Sequence, residues 1–202
     1  MDSVEERRVR RRRLFDLVSG QAGYFSAAQA LDLGYSYQAQ AHHVAAGNWL
    51  RVDRGIFRLA EWVPGEHDEL ARWTLWSKGR AVVSHESALE VHDIGEFESR
   101  RVHLTVPPAF TMRDEALALH FAKLPDGDVL ERPGFRVTTP LRSLIDVAAG
   151  GPDEEQLARS ISEAQQKGLL TLRRLRSRAE ALDVRAALNI ERAITASTAP
   201  PQ

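Results

Sequence analysis

The sequence predicts an α+β chain in two parts: a small N-terminal domain of helices and strands, then a larger C-terminal α/β-mixed domain with a small sheet and a helical end. Three observations predict it. Residues 36–59, SYQAQAHHVAAGNWLRVDRGIFRL, change period midway, from a helix stopped at Gly47 to two short alternating strands joined by Asp53-Arg54-Gly55. Pro64-Gly65 then punctuates the chain. Beyond it, short strand-like runs come first and long helical stripes after, the order of an α+β domain. The expected division is 1–63, 66–188 and a frayed tail over 189–202.

The elements follow in order. Ser3 and Glu6 have capping-box spacing and open a helix to about Val18, with Val9, Leu14, Leu17 and Val18 on its apolar side. Its other face holds Arg7, Arg8 and Arg10–Arg13, which suits either a solvated surface or contact with phosphates. Gly20 and Gly23 end it, and Tyr24-Phe25 can form a short strand. Ser26 and Gln29 make a second capping box for a helix that stops at Gly34. Only Gly34-Tyr35 separates it from a third helix capped by Ser36, and two short helices joined by a glycine turn are the helix-turn-helix pattern. With the hairpin after it, the pattern is that of a winged helix-turn-helix.

In that pattern the third helix and the hairpin face nucleic acid. Tyr37, Gln38, Gln40, His42 and His43 are the polar or aromatic residues left to point outward from about Tyr37–Ala46, with Val44 turned inward and Ser36 at the cap. Glutamine can pair bidentately with adenine, and Tyr or His can reach phosphate or base edges. Arg51, Arg54 and Arg58 on the hairpin supply the charge that this helix lacks, and Arg10 and Arg11 on the first helix can add more. Ordinary helix-surface residues are the competing reading of His42 and His43.

Composition sets the outer bounds. The 202 residues are 43% apolar, enough to bury a core. Formal net charge is −1, but residues 1–62 hold nine Lys/Arg against seven Asp/Glu, and residues 63–202 hold eighteen against twenty-one. A mildly basic head on an acidic body suits contact with DNA at one end. The absence of cysteine excludes disulfides, thiolate zinc sites and a Cys nucleophile, and fits a cytoplasmic protein. No apolar run approaches membrane-spanning length, and the charged N-terminus lacks the apolar segment of a secretory signal.

Later in the chain, a helix over about Glu66–Ser77 carries Leu70, Trp73 and Trp76, read as packing residues. Ser84-His85-Glu86 has neither a G-x-S-x-G elbow nor HExxH spacing around it, so His85 and His92 are read as capping and core residues. Adjacent His42 and His43 cannot turn to one ion from one helix face. No metal site, cofactor or catalytic group is expected. Short strands at 102–106, 117–122, 129–130 and 135–137 suggest a sheet of four or five strands. Thr139-Pro140 opens a helix, Asp153 caps another, and a last one over about Thr171–Leu182 sets leucines against Arg173, Arg174, Arg176 and Arg178.

The ordered pieces Gly23-Tyr24-Phe25-Ser26, Leu33-Gly34-Tyr35-Ser36, Gly47-Asn48-Trp49 and Arg54-Gly55-Ile56-Phe57-Arg58-Leu59 resemble the winged-helix domain of AbiEi-type antitoxins of type IV toxin–antitoxin systems. Ala81–Leu89, His103–Pro107 and Val137–Pro140 extend the likeness to about residue 180. The resemblance implies a bacterial transcriptional autorepressor that binds promoter inverted repeats in double-stranded DNA. It also implies self-association on that DNA and a cognate nucleotidyltransferase-like toxin, which the antitoxin need not touch. The chain departs from typical members in a recognition helix without Arg or Lys and in a short C-terminal half. Two alternatives stand beside this reading: a winged helix that docks a toxin directly, and a cryptic nuclease centred on Asp126 and Asp128. For the nuclease, the D…(D/E)-x-K set is not found.

Overall fold

The computed structural model describes residues 3–97 and 99–198. They form two compact units. The first runs through Ala81 and takes in Arg132–Phe135; the second comprises Val82–Glu131 and Arg136 onward.

In the first unit, α1 (Val4–Ser19), β1 (Tyr24–Ser26), α2 (Ala27–Asp32), α3 (Tyr37–Ala45), β2 (Trp49–Asp53), β3 (Ile56–Leu59) and α4 (Asp68–Trp76) follow one another. Both capping boxes form as the spacing predicts: Glu6 N–H donates to Ser3 Oγ at 3.1 Å, and Gln29 N–H donates to Ser26 Oγ at 3.1 Å. The sheet has order β1-β3-β2, antiparallel throughout, with Phe25 opposite Phe57 and Trp49 opposite Leu59. Leu14, Val18, Phe25, Ala30, Tyr35, Trp49, Phe57 and Leu59 close one core between that sheet and the first three helices. Trp49 lies at its centre, with Phe25 edge-on at 4.7 Å and Tyr35 at 5.0 Å.

The other face of the sheet is also covered. Tyr24 and Ile56 pack there with Ala71 of α4, flanked by Val52, Leu75 and Trp76. The first unit therefore does not end at Pro64-Gly65, where the sequence places a boundary at 63–66; it extends to Ala81. A single carboxylate explains why. Asp68 Oδ2 accepts from Trp62 Nε1 at 2.9 Å and from Gly65 N–H at 2.8 Å, so the Pro-Gly turn is held against the start of α4 and is no linker.

Gly23 shows how tightly that closure is made. Its φ is +81°, and a Cβ there would lie 2.3 Å from Trp62 Cγ. Gly23→Ala is expected to cost about 2–4 kcal/mol, combining left-handed strain with overpacking. Gly47 has φ +74° but open space around it, so Gly47→Ala should cost only about 1 kcal/mol. Urea unfolding followed by far-UV circular dichroism checks the pair; equal losses would remove Trp62 from the account.

The second unit contains β4 (Val82–Val83), α5 (His85–Val91), β5 (Val102–Val106), β6 (Leu117–Phe121), most of β7 (Val129–Arg132) and β8 (Phe135–Thr138), whose joining turn Arg132–Phe135 falls in the first unit, and α6 (Pro140–Gly150). It continues with α7 (Glu154–Gln166), α8 (Leu172–Leu182) and α9 (Val184–Thr198). Its sheet, of order β6-β5-β4-β8-β7, is mixed: β4 runs antiparallel to β5 but parallel to β8, and β5 parallel to β6. Leu144, Ile145, Leu157, Ile161, Leu175 and Ile190 centre the helical core.

The tail expected to fray from residue 189 is helical through Thr198. Ala186, Ile190 and Ala193 are fully buried at i, i+4 and i+7. A stripe made mostly of alanine gives little hydropathy signal, which is why the sequence reading missed it. Residues 199–202 of the expected tail lie outside the described ones. Burial, and then the neighbouring imidazoles, push His85 down to about 3 and His120 down to about 4.

Candidate nucleic-acid interface

Along α3, positions 37, 38, 41, 42 and 45 are exposed. Their spacing of i, i+1, i+4, i+5 and i+8 makes one continuous stripe. It presents Tyr37, Gln38 and His42, with the methyl groups of Ala41 and Ala45 between them. Ser36 stands at its start, and its Oγ accepts from Ala39 N–H at 3.2 Å, so its hydroxyl serves the helix N-terminus.

Gln40, expected outward, is buried. Its Nε2 donates to Tyr35 O at 3.0 Å and to Ala27 O at 3.2 Å. Both are main-chain acceptors of the α2–turn–α3 corner, so the amide locks the angle between the two helices. Nothing in the residue type foretold this, since glutamine is usually exposed; the cue lay in position, because 40 falls on the inner face with 44.

His43 is likewise turned in. Its ring stacks on Trp49 at 4.7 Å with a 12° interplanar angle, and its Nδ1 lies 3.4 Å from Asn48 Nδ2. Burial, with smaller contributions from His42 and Arg10, holds its pKa below the ordinary histidine value. A neutral ring packed on the core tryptophan positions the C-terminal end of α3 on the hairpin. His42 remains exposed.

The arginines divide in the same manner. Arg51 and Arg54 are exposed on the hairpin. Arg51 keeps its guanidinium 5.5 Å from the Phe57 ring, and Arg54 sits beside Gly55, whose φ of +71° makes the turn. Asp53 fixes the tip, accepting from Arg54 N–H at 2.6 Å and from Arg72 of α4 at 3.2 Å. Arg58, expected beside them, is half-buried on the opposite face, opposite Tyr24 in the ladder and 5.8 Å from its ring. The strand alternation that makes a hairpin also separates 51 from 58 across the sheet.

On α1, Arg10 donates to Gly34 O at 2.6 Å and lies over Tyr35 at 5.1 Å, clamping the helix-turn-helix corner. Burial raises the Tyr35 phenol pKa against the opposing pull of Arg10 and Arg11. Arg11 is solvent-facing and lies 3.3 Å from Glu61. Both border a groove of about 660 Å³ between α1, the inner edge of α3 and the hairpin base, floored by Leu14, Phe15 and Trp49. The sequence reading missed this groove; a half-exposed Phe15 on an arginine-rich helix was its one visible sign. The groove meets α3 at Ala39 and His43, away from the exposed stripe.

A helix-turn-helix whose second helix carries an exposed polar stripe, followed by a hairpin tipped with two solvent-facing arginines, is a winged helix. Residues 12–60 match the family model described as the AbiEi antitoxin transcriptional regulator. Over those residues the chain is similar to the AbiEi antitoxin regulators. The match runs from within α1 to just past the end of β3, so it covers the winged helix and ends short of α4. Over 89% of this chain and 75% of the other, the fold is similar to the crystal structure of the RV2827C protein from Mycobacterium tuberculosis, with a TM-score of 0.58 at 12% sequence identity. No curated protein matches the chain.

In the second unit, Asp128 meets Arg142 at 3.0 Å and Arg178 at 3.1 Å, so a cation pair already occupies the carboxylate that a nuclease reading would need. Among the described residues, one group of side chains is close enough to share a metal ion: His85, His103 and His120 of the second unit. No helix among them is long and apolar enough to cross a membrane.

Proposed function

We propose that the chain is a DNA-binding autorepressor, the antitoxin of a type IV toxin–antitoxin pair, that docks on inverted repeats in its own promoter. The observation that carries this reading is the exposed stripe of Tyr37, Gln38 and His42 on the same winged unit as exposed Arg51 and Arg54. The family match over residues 12–60 supports it. In the proposed complex α3 enters the major groove, where Gln38 reads adenine and Ala41 meets a thymine methyl. Arg51 and Arg54 hold phosphates and fix the register of the helix without reading sequence. Gln40, His43, Arg10 and Arg58 shape the reading head from inside. Two copies on a palindrome would place two such helices one helical turn apart.

The test is fluorescence anisotropy with a labelled fragment of the upstream promoter, repeated over a series of salt concentrations and paired with a footprint. Expected are paired protected half-sites about 10 base pairs apart and log affinity falling linearly with log salt. Binding to the promoter no tighter than to unrelated DNA would overturn the reading. The groove beside α1 favours a second reading, in which the winged unit docks a protein. Co-purification with a neighbour-encoded toxin, without any DNA shift, would select it.

A further inference from the structure

Three histidines of the second unit converge although they come from three separate elements. His103 lies on β5 and His120 on β6, and their parallel register (Thr105 opposite His120) puts both on one face of the sheet. His85 is the first residue of α5, entered directly from β4. His120 Nε2 is 3.1 Å from His103 Nδ1, and the rings of His85 and His120 stack at 3.4 Å with a 15° interplanar angle. One nitrogen from each of the three lies within 4.8 Å of the others. Tetrahedral zinc with Zn–N bonds near 2.0–2.1 Å sets its nitrogens about 3.3 Å apart, so the spacing is close to that of ligands, and the stacked His85 and His120 rings would have to rotate out of parallel for both in-plane lone pairs to meet one ion.

Four further features bear on this cluster. Glu86 Oε2 lies 2.7 Å from His103 Nδ1, and that same nitrogen faces His120 Nε2. One ring proton cannot give full hydrogen bonds to both neighbours, so the group holds more lone pairs than protons to fill them. His85 is held at φ +54°, a conformation that costs a non-glycine residue free energy and recurs at sites of function. Its Nδ1 is 3.0 Å from Ser84 Oγ, which already accepts from Thr105 at 2.8 Å; a bond from the His85 Nδ1–H would leave Nε2 as the free lone pair. The guanidinium that bears on His85, Arg142, is offset by Asp128 at 3.0 Å and Asp146 at 2.8 Å.

We propose that His85, His103 and His120 form a binding site for one divalent transition-metal ion, zinc by preference, with Glu86 supplying negative charge beside it. Three imidazoles select zinc, nickel or copper over magnesium and calcium, which require oxygen ligands. A solvent-open pocket of about 380 Å³, bordered by Glu86, Arg101, His103 and Gln156, gives the ion a path in. The ion would tie β5, β6 and the start of α5 together, and so stabilise the folded second unit by mass action.

The test uses the full chain, stripped with chelator and titrated with Co²⁺ and Zn²⁺. Expected are one equivalent bound, a visible cobalt d–d band displaced by zinc, and a melting temperature that rises with zinc but not with magnesium. His120→Gln should abolish the saturable equivalent, while Glu86→Gln should weaken it about 10–100-fold. His42→Ala and His43→Ala, in the other unit, should leave it intact. If His120→Gln fails to fold, histidine modification by diethyl pyrocarbonate of the wild-type chain decides, since zinc should protect His85, His103 and His120 together. No saturable binding by the folded wild type would overturn the site. So would binding that survives in a folded His120→Gln, binding lost in the His42 or His43 variant, or zinc protection elsewhere.

Discussion

Trp49→Ala is expected to unfold the winged unit at far lower denaturant than wild type, at a cost of about 3–5 kcal/mol. The indole is 3% exposed and meets four rings from β1, the helix-turn-helix corner, α3 and β3. Phe25 of β1 and Tyr35 of the helix-turn-helix corner meet it edge-on, Phe57 of β3 lies 5.7 Å away, and His43 of α3 stacks on it. Truncation therefore leaves a cavity bordered by four rings, which cannot collapse together without moving α3 off the hairpin. Trp49→Phe should recover much of the loss, because it keeps apolar mass at the centre, and cost about 1.5 kcal/mol. A second readout separates this packing role from a general loss of stability. Burial is the main cause that lowers the His43 pKa. In a truncated protein that still folds at low temperature, the His43 ring should titrate nearer the ordinary histidine value, followed by NMR. An Ala variant as stable as wild type, or an unmoved His43 titration, would show that Trp49 does not organise α3.

That dependence on one aromatic cluster explains what could be read from the sequence. Local chemistry was legible: the Ser3–Glu6 and Ser26–Gln29 boxes, the Gly34 and Gly55 turns and the Thr139-Pro140 start all depend on residues within a few positions of each other. The outward stripe was legible in part, because helix period places 37, 38 and 42 together. Gln40 and His43 were misplaced because their partners, the Ala27 and Tyr35 carbonyls and the Trp49 ring, are distant in sequence or invisible as side-chain pattern. Arg58 was misplaced because the two-residue period of a strand alternates faces, while charge counting treats a hairpin as one surface. The closing role of Asp68 beyond Pro64-Gly65 and the three-histidine cluster share a cause with these: each is assembled by tertiary contact between segments whose own sequence reads as ordinary.

The proposed complex puts affinity and discrimination on separate surfaces, so the two should come apart under substitution. Arg51→Ala with Arg54→Ala is expected to lower binding to promoter and to unrelated DNA alike, and to flatten the salt slope by about two, one phosphate contact per arginine. Gln38→Ala with His42→Ala should leave binding to unrelated DNA and the salt slope unchanged, yet cost about 1–3 kcal/mol on the promoter for each base contact removed. All four side chains are exposed and none carries the core, so circular dichroism should show the fold intact in both variants. Combining the four should erase operator binding at physiological salt. In the proposed complex α3, which has no Arg or Lys, discriminates but attracts the backbone weakly. In the same complex the hairpin attracts through phosphates and so does not discriminate. If the arginine variant instead loses the promoter alone and keeps its salt slope, the hairpin reads bases and the roles are reversed. If both variants bind as wild type does, DNA approaches another face of the unit, and the assignment of α3 as the reading helix fails.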